Sequence, residues 1–206
     1  MNREIVAENL VKQYKDFRAV DGVSFKVDSG EIFGFLGPNG AGKSTTVTML
    51  TTLALPSGGR ASVGGYDVVS QAGSVRRIAG VALQEIGLDP IMKSMEMLTL
   101  QGQFFGMSRR DSQKRARELL ELVKLSDVTD RPVGKYSGGM RRRLDLAMAL
   151  VHQPEILFLD EPTTGLDPAS RRDVWNEVRR LNREFNMTIF LTTQYLEEAD
   201  ELADRI

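Results

Sequence analysis

Ile32-Phe33-Gly34-Phe35-Leu36-Gly37-Pro38-Asn39-Gly40-Ala41-Gly42-Lys43-Ser44 is the stretch that decides how the rest of the chain is read. Gly37–Ser44 fits G-x-x-x-x-G-K-[ST], and Thr45 continues it. Glycines in this pattern let successive backbone N–H groups turn inward around a phosphate without a Cβ clash. A helix starting near Lys43 adds the partial positive charge of its N-terminus. The Lys43 ammonium neutralises outer phosphates, and the Ser44 hydroxyl is a ligand suited to Mg²⁺. Ile32–Leu36, bounded by Gly30 and Gly37, reads as a buried strand feeding the loop. Strand, phosphate loop and helix in that order predict a nucleotide site.

Further along, Ile156-Leu157-Phe158-Leu159 reads as a second buried strand, ending in Asp160-Glu161. Two adjacent acids there are costly unless a cation or a proton uses them. Successive strand residues point to opposite faces, so the two need not share a role. Asp160 suits the Mg²⁺ shell of a phosphate-loop NTPase. Glu161 suits a general base that takes a proton from an attacking water. Val81–Leu83 and Met187–Thr192 read as strands of the same kind. Strands spaced by helices predict an α/β class with a parallel sheet covered on both faces.

The helices carry their own punctuation. Ser108 and Asp111 have capping-box spacing, and Ala116, Leu119, Leu120 and Val123 then fall on one face. Asp167-Pro168 supplies an N-cap and a first-turn proline ahead of Val174, Val178, Leu181 and Phe185. Residues 91–150 contain no convincing strand, which predicts a helical insert in the α/β core. Ser137 is a good N-cap for a helix with Met140, Leu144, Ala147, Met148 and Val151 inward. Its hydroxyl and the N–H groups of Gly138 and Gly139 predict a second anion site. Arg141, Arg142 and Arg143 read as a solvated, salt-bridged helix face.

Composition removes several alternatives. The chain has 206 residues, 41% of them hydrophobic, with 27 basic against 28 acidic side chains. That length is enough to bury a sizeable core. A net charge of −1 gives no global reason to bind nucleic acid or an anionic membrane. Without cysteine there is no disulfide scaffold, thiolate metal site or cysteine nucleophile. With His152 as the single histidine, a zinc hydrolase or a Ser-His-Asp enzyme is disfavoured. No apolar run approaches the roughly 18 residues of a membrane span. MNREIVAENL lacks the basic-then-apolar form of a signal peptide. The expectation is a soluble, intracellular protein.

Tyr136-Ser137-Gly138-Gly139-Met140 resembles the signature sequence of ATP-binding cassette (ABC) ATPases, and it lies between the phosphate loop and Asp160-Glu161 as in that family. The resemblance runs through the whole chain. It implies a P-loop NTPase (RecA-like) core over about 1–84 and 151–206, with an ABC-type β subdomain on the N-terminal side. An α-helical subdomain is inserted at about 85–150. The implied cofactors are ATP and Mg²⁺, with Tyr14 stacking on adenine and Gly37, Pro38, Asn39, Gly40, Ala41, Gly42, Lys43, Ser44 and Thr45 around the phosphates. Ser44, Gln84 and Asp160 organise Mg²⁺ in this scheme; Gln84 also meets the attacking water, and Glu161 is the base. Gly165-Leu166-Asp167 resembles the loop that crosses between two subunits. Tyr136, Ser137, Gly138, Gly139 and Asp167 would then meet the ATP of a second, head-to-tail copy. YSGGMRRRLDLA and LTTQYLEEADELADRI are most similar to ATP-binding subunits of the daunorubicin/doxorubicin-resistance type of drug exporter. The implied partner is a separate ABC-2 type permease and no nucleic acid, and the implied place is the cytoplasmic face of the cell membrane.

Two positions depart from the family pattern. Met140 stands where glutamine is commonest and is expected to pack inward. Gln194 stands where a histidine usually touches the γ-phosphate, and glutamine donates a hydrogen bond there but cannot become cationic. His152 is placed at a helix-to-strand junction, as a surface or C-cap residue. Leu202–Ile206 reads as a truncation. Other functions remain open: a nucleotide switch with slow or partner-dependent turnover, a lipid or polysaccharide exporter, or a soluble ABC protein acting on ribosomes or DNA. The last usually carries two cassettes or a long coiled-coil insertion, neither of which this sequence shows, and the near-neutral charge also argues against it.

Overall fold

Short runs that are apolar on both faces form the inner layer of the protein. In the computed structural model, which describes residues 3–206, β3 (Ile32–Leu36), β6 (Ala79–Ala82), β7 (Ile156–Asp160) and β8 (Thr188–Thr193) make a parallel sheet in the order β3-β8-β7-β6. Every residue of β7 and β8 is buried, as a sheet covered on both faces requires. A second, antiparallel sheet has the order β2-β1-β4-β5, from β1 (Ile5–Tyr14), β2 (Phe17–Val27), β4 (Gly58–Val63) and β5 (Tyr66–Asp67). The helices are α1 (Lys43–Leu50), α2 (Ala72–Ile78), α3 (Ser94–Phe104), α4 (Arg109–Leu122), α5 (Gly138–Ala149), α6 (Pro168–Phe185) and α7 (Leu196–Leu202).

These elements fall into two units. The first comprises the described residues up to Gln84, with Glu155–Pro162 and Val178–Ile206; the second comprises Glu85–Pro154 and Thr163–Glu177. In the first, the two sheets share one core. Phe25 of β2 packs on Phe33, Phe35 and Phe190 with ring centroids 5.5–5.8 Å apart. Phe158 of β7 joins through Phe190 at 5.8 Å. Such offset and tilted pairs add to the area they bury. The outer edge of β3 is taken up by the chain around Asp204 and Arg205: Asp204 N–H donates to Ile32 O at 2.8 Å, and Gly34 N–H donates to Arg205 O at 2.8 Å.

The second unit is helical throughout its regular elements. Ser108 caps α4 by accepting the Asp111 N–H at 3.1 Å, and Ala116, Leu119, Leu120 and Val123 are buried as their spacing predicts. Phe185 departs from the expected apolar face of α6: Val174, Val178 and Leu181 are buried, whereas Phe185 is 53% exposed at the last position of the helix. The three arginines of α5 include the expected salt bridge, at Arg142, but they do not form a solvated face. Arg141 donates to Tyr136 O at 2.8 Å, and Arg143 donates to Val123 O at 3.0 Å, closing the end of α4. Arg142 is buried and pairs with Asp145 at 3.0 Å. Carbonyls at helix ends and a guanidinium's several donors make this arrangement favourable. Met140 is half-buried rather than inward.

Burial pushes the Asp145 carboxyl up from its ordinary 3.8 to about 6, against the opposing pull of Arg142. Between those values the folded protein keeps a proton that the unfolded chain has released. The stability from this group is therefore present below about pH 4 and lost as pH rises to about 6. Asp145→Asn should flatten that part of a Tm-against-pH curve, an effect of at most about 3 kcal/mol. An unchanged curve between pH 4 and 6 would contradict the assignment.

Candidate functional site

The parallel ladder brings three chain segments that are far apart in sequence to one end of the sheet. Leu36 pairs with Thr193 and Asp160 with Thr192, so the ends of β3, β7 and β8 coincide. The phosphate loop leaves β3 there and is tied back by Gly37 N–H donating to Thr193 O at 3.1 Å. Gly40 and Gly42 have φ of +82° and +85°. Gly42 is also the N-cap of α1, and no side chain caps that helix. A Cβ on Gly42 would lie 2.3 Å from Ala19 O, so both its conformation and its surroundings demand glycine.

A cavity of about 350 Å³ opens beside this loop, lined by Asn39, Gly40, Gly42, Lys43, Ser44 and Thr45. Gln84, just beyond β6, and Glu161, just beyond β7, complete the predicted part of the lining. The Lys43 and Glu161 side chains are each 4% exposed and form an ion pair at 3.1 Å. Lys43 also donates to Gly37 O at 2.8 Å and Pro38 O at 3.0 Å. Glu161 sits at φ +47°, unusual for a residue with a side chain. Its N–H donates to Thr192 O at 3.1 Å and Thr192 Oγ1 at 3.0 Å. Thr192 Oγ1 in turn donates to Asp160 Oδ1. Asp160 is buried behind the lining.

Several predicted residues stand elsewhere. Gly37, Pro38 and Ala41 belong to the loop but do not line the cavity. Gln194, directly after β8, is half-buried and also outside the lining. Tyr14 is 48% exposed at the end of β1, with the Lys12 ammonium 4.8 Å from its ring centroid. The aromatic that lines the cavity is Phe17, paired with Tyr14 across the β1–β2 hairpin, with Ala19 beside it. Sequence reading missed both, because what brings Phe17 and Ala19 to the cavity is the β1–β2 hairpin, whose irregular register the residue pattern does not display. It missed Thr192 as well.

The signature lies in the helical unit. Ser137 caps α5, accepting the Met140 N–H at 3.2 Å. Tyr136, expected at a nucleotide, is instead a core residue: it is 3% exposed, its hydroxyl donates to Val128 O at 2.9 Å and it lies 3.1 Å from Ser94 Oγ. Gly138 is half-buried, and a Cβ on Gly139 would meet Ser170 Oγ at 2.6 Å. Ser170 is held by Asp167, which caps α6 by accepting the Ala169 and Ser170 N–H groups and the Ser170 hydroxyl. Those bonds from Ser170 hold the Asp167 carboxyl below its ordinary range. His152 follows α5 in a turn and stacks on Phe105 at 4.0 Å.

Residues 20–164 match the sequence model of the ABC transporter family. The chain belongs to that family. Its relatives include the daunorubicin/doxorubicin resistance ATP-binding protein DrrA of Streptomyces peucetius, 51% identical over 99% of this chain and 62% of that protein. The doxorubicin resistance ATP-binding protein DrrA of Mycobacterium tuberculosis (strain H37Rv) is 52% identical over 91% of this chain and 56% of its own length. The Nod factor export ATP-binding protein I of Burkholderia lata is 46% identical over 96% and 65%. The chain thus spans about three-fifths of the length of these relatives. Among solved structures, an ABC transporter ATP-binding cassette in its ADP conformation superposes with a TM-score of 0.86 at 27% identity, covering 99% of this chain and 85% of that one. A dimeric cassette in a post-hydrolysis state with ADP and phosphate has a TM-score of 0.86 at 26% identity, covering 98% and 96%. The P-loop NTPase fold of an ABC cassette, with its antiparallel sheet and helical insert, is therefore established. Among the described residues of this ABC chain, no helix is long and apolar enough to cross a membrane.

Gly42→Ala should destabilise the protein by about 2 kcal/mol or more, because the added methyl meets backbone rather than a movable side chain. Urea unfolding followed by circular dichroism measures it, and a loss under about 0.5 kcal/mol would contradict the close approach of Gly42 to Ala19.

Proposed function

We propose that this chain is the ATP-binding and ATP-hydrolysing part of an ABC exporter subunit, working as a head-to-tail dimer on the cytoplasmic face of the membrane and driving a separate ABC-2 type permease. Its cargo in this reading is a drug or another hydrophobic compound. The observation that carries the proposal is the cavity in which Lys43, Ser44, Gln84 and Glu161 meet beside a glycine-turned loop. The names of the relatives, which are resistance and export ATP-binding proteins, support the transport half of it.

Each residue then has a task. The loop N–H groups and the uncapped N-terminus of α1 receive phosphate oxygens. Lys43 exchanges its present acceptors, the Gly37 and Pro38 carbonyls and the Glu161 carboxylate, for the outer phosphates. Tyr14 or Phe17 offers a face for adenine stacking. A hydroxyl, an amide and a carboxylate from Ser44, Gln84 and Asp160 form an oxygen donor set that fits Mg²⁺. Bound with the nucleotide, Mg²⁺ supplies neutralisation of the phosphate charge. Glu161 orients a water and accepts its proton, and Gln194 donates to the γ-phosphate. Ser137, Gly138, Gly139 and Asp167 face the ATP of the second copy. In that scheme, closure of the dimer on ATP and its opening after hydrolysis drive the permease.

A nucleotide switch with little turnover is the second reading, favoured by Gln194 in place of a cationic histidine. Losing a charge-assisted contact costs about 1 kcal/mol, several-fold in rate, which slows an ATPase without abolishing it.

Phosphate release from Mg·ATP by the full-length protein, with and without its permease, tests the proposal. Glu161→Gln should lower kcat by about 10²–10⁴-fold while ATP still binds, and Lys43→Ala should lose ATP affinity. Gln194→His should raise turnover several-fold. Wild type that binds ATP and releases no phosphate even beside its permease would establish the switch instead. Of Tyr14→Ala and Phe17→Ala, the variant that weakens ATP binding identifies the stacking aromatic.

A further inference from the structure

Thr192 lies near the carboxyl end of β8, an inner strand of the buried sheet, and touches both acids of the candidate site. It is fully buried in β8 and stands opposite Asp160 in the parallel ladder. Its hydroxyl hydrogen goes to Asp160 Oδ1. The same oxygen accepts the Glu161 N–H at 3.0 Å, while the Thr192 carbonyl accepts that N–H at 3.1 Å. A hydroxyl has one hydrogen and two lone pairs, so committing the hydrogen to Asp160 turns a lone pair to Glu161. One side chain thereby fixes a carboxylate and the backbone of the next residue.

Other threonines in the protein use their hydroxyls differently. Thr46 and Thr51 donate to carbonyls one helical turn back, at Gly42 and Val47, and Thr188 accepts the Gly30 N–H. Those bonds serve the local backbone. Thr192 instead ties together a buried carboxylate and a residue whose φ of +47° must be sustained by its surroundings. Bonds to a charged acceptor are about twice as strong as neutral ones, which makes the Asp160 half of this bridge the firmer.

We propose that Thr192 is a positioning residue, holding the Asp160 carboxylate in the orientation that receives the divalent cation and holding Glu161 in the backbone conformation that aims its carboxylate at water. The inference rests on the assignment of Asp160 and Glu161 to those two tasks. Removing the hydroxyl leaves the Glu161 N–H its carbonyl acceptor, so the strand keeps its ladder, but the carboxylate of Asp160 loses a fixed donor. The two acids then lose alignment without leaving the site.

The test compares wild type, Thr192→Val, Thr192→Ala and Thr192→Ser in the full-length protein. Valine keeps the volume and branching, alanine removes the hydroxyl with less risk of misfit, and serine restores the hydroxyl. Binding of a fluorescent, non-hydrolysable ATP analogue is titrated with Mg²⁺, and kcat and KM for Mg·ATP are measured on the same samples. Loss of the hydroxyl should raise the half-saturating Mg²⁺ concentration several-fold and lower kcat about tenfold, with KM for Mg·ATP held within about twofold. Thr192→Ser should return both values close to wild type. If valine and alanine match wild type in the Mg²⁺ titration and in kcat, or if serine is as impaired as they are, Thr192 has no positioning role. Wild type that binds no ATP analogue, or a Glu161→Gln control that turns over normally, would overturn the underlying assignment and this inference with it.

Discussion

The register between β3, β8 and β7 is the constraint on which the site depends. With Leu36 opposite Thr193 and Thr192 opposite Asp160, three strand ends are brought to one line. Ligands of open α/β sheets gather beyond such carboxyl ends, because loops and helix N-termini diverge there. A parallel register slipped by one residue would exchange the faces of Asp160 and Leu159, burying a charge in apolar packing. The Phe25, Phe33, Phe35, Phe158 and Phe190 cluster opposes that slip, since each ring has its place only in one alignment. Core packing and site geometry are thus one constraint seen from two sides.

Within the cavity, opposite charges come together because both are buried. Burying Lys43 or Glu161 alone would carry a large desolvation penalty, and their pairing at 3.1 Å offsets it. The backbone carbonyls of Gly37 and Pro38 supply the ammonium's remaining acceptors. The ammonium is therefore held by groups that a polyanion outcompetes in charge. The signature region obeys the same economy of space. Gly139 is small because Ser170 is in the way, and Ser170 is fixed because Asp167 needs it to cap α6. What reads as a binding motif is also a packing motif.

The phosphate loop, the strands that carry the acids and the caps of α4, α5 and α6 were legible because each rests on local chemistry: glycine conformation, apolar runs, a side-chain oxygen before a helix. The antiparallel sheet was not legible from residue pattern. Register shifts in β1 between Ala7 and Gln13 break the two-residue alternation that marks a half-buried strand. Tyr136 looked like a ligand contact because an aromatic beside Ser-Gly-Gly carries no sign of which way it points. Arg141 and Arg143 looked solvated because their partners, the carbonyls of Tyr136 and Val123, have no side-chain signature. Phe17 and Thr192 were invisible for a related reason, since their importance comes from what lies across a strand pair.

Strand β3 also bears on how the protein is made. Its inner partner, β8, lies some 150 residues later in the chain, and its outer edge is closed by Asp204 and Arg205. During synthesis β3 must wait with both edges open until those segments leave the ribosome. Loop closure over such separations is entropically slow, and open apolar edges invite pairing with other chains. The antiparallel sheet, built from residues 5–67, has all its strands early. Because the antiparallel sheet packs its Phe25 on Phe33, Phe35 and Phe190, its core is also completed only when the distant strand β8 arrives.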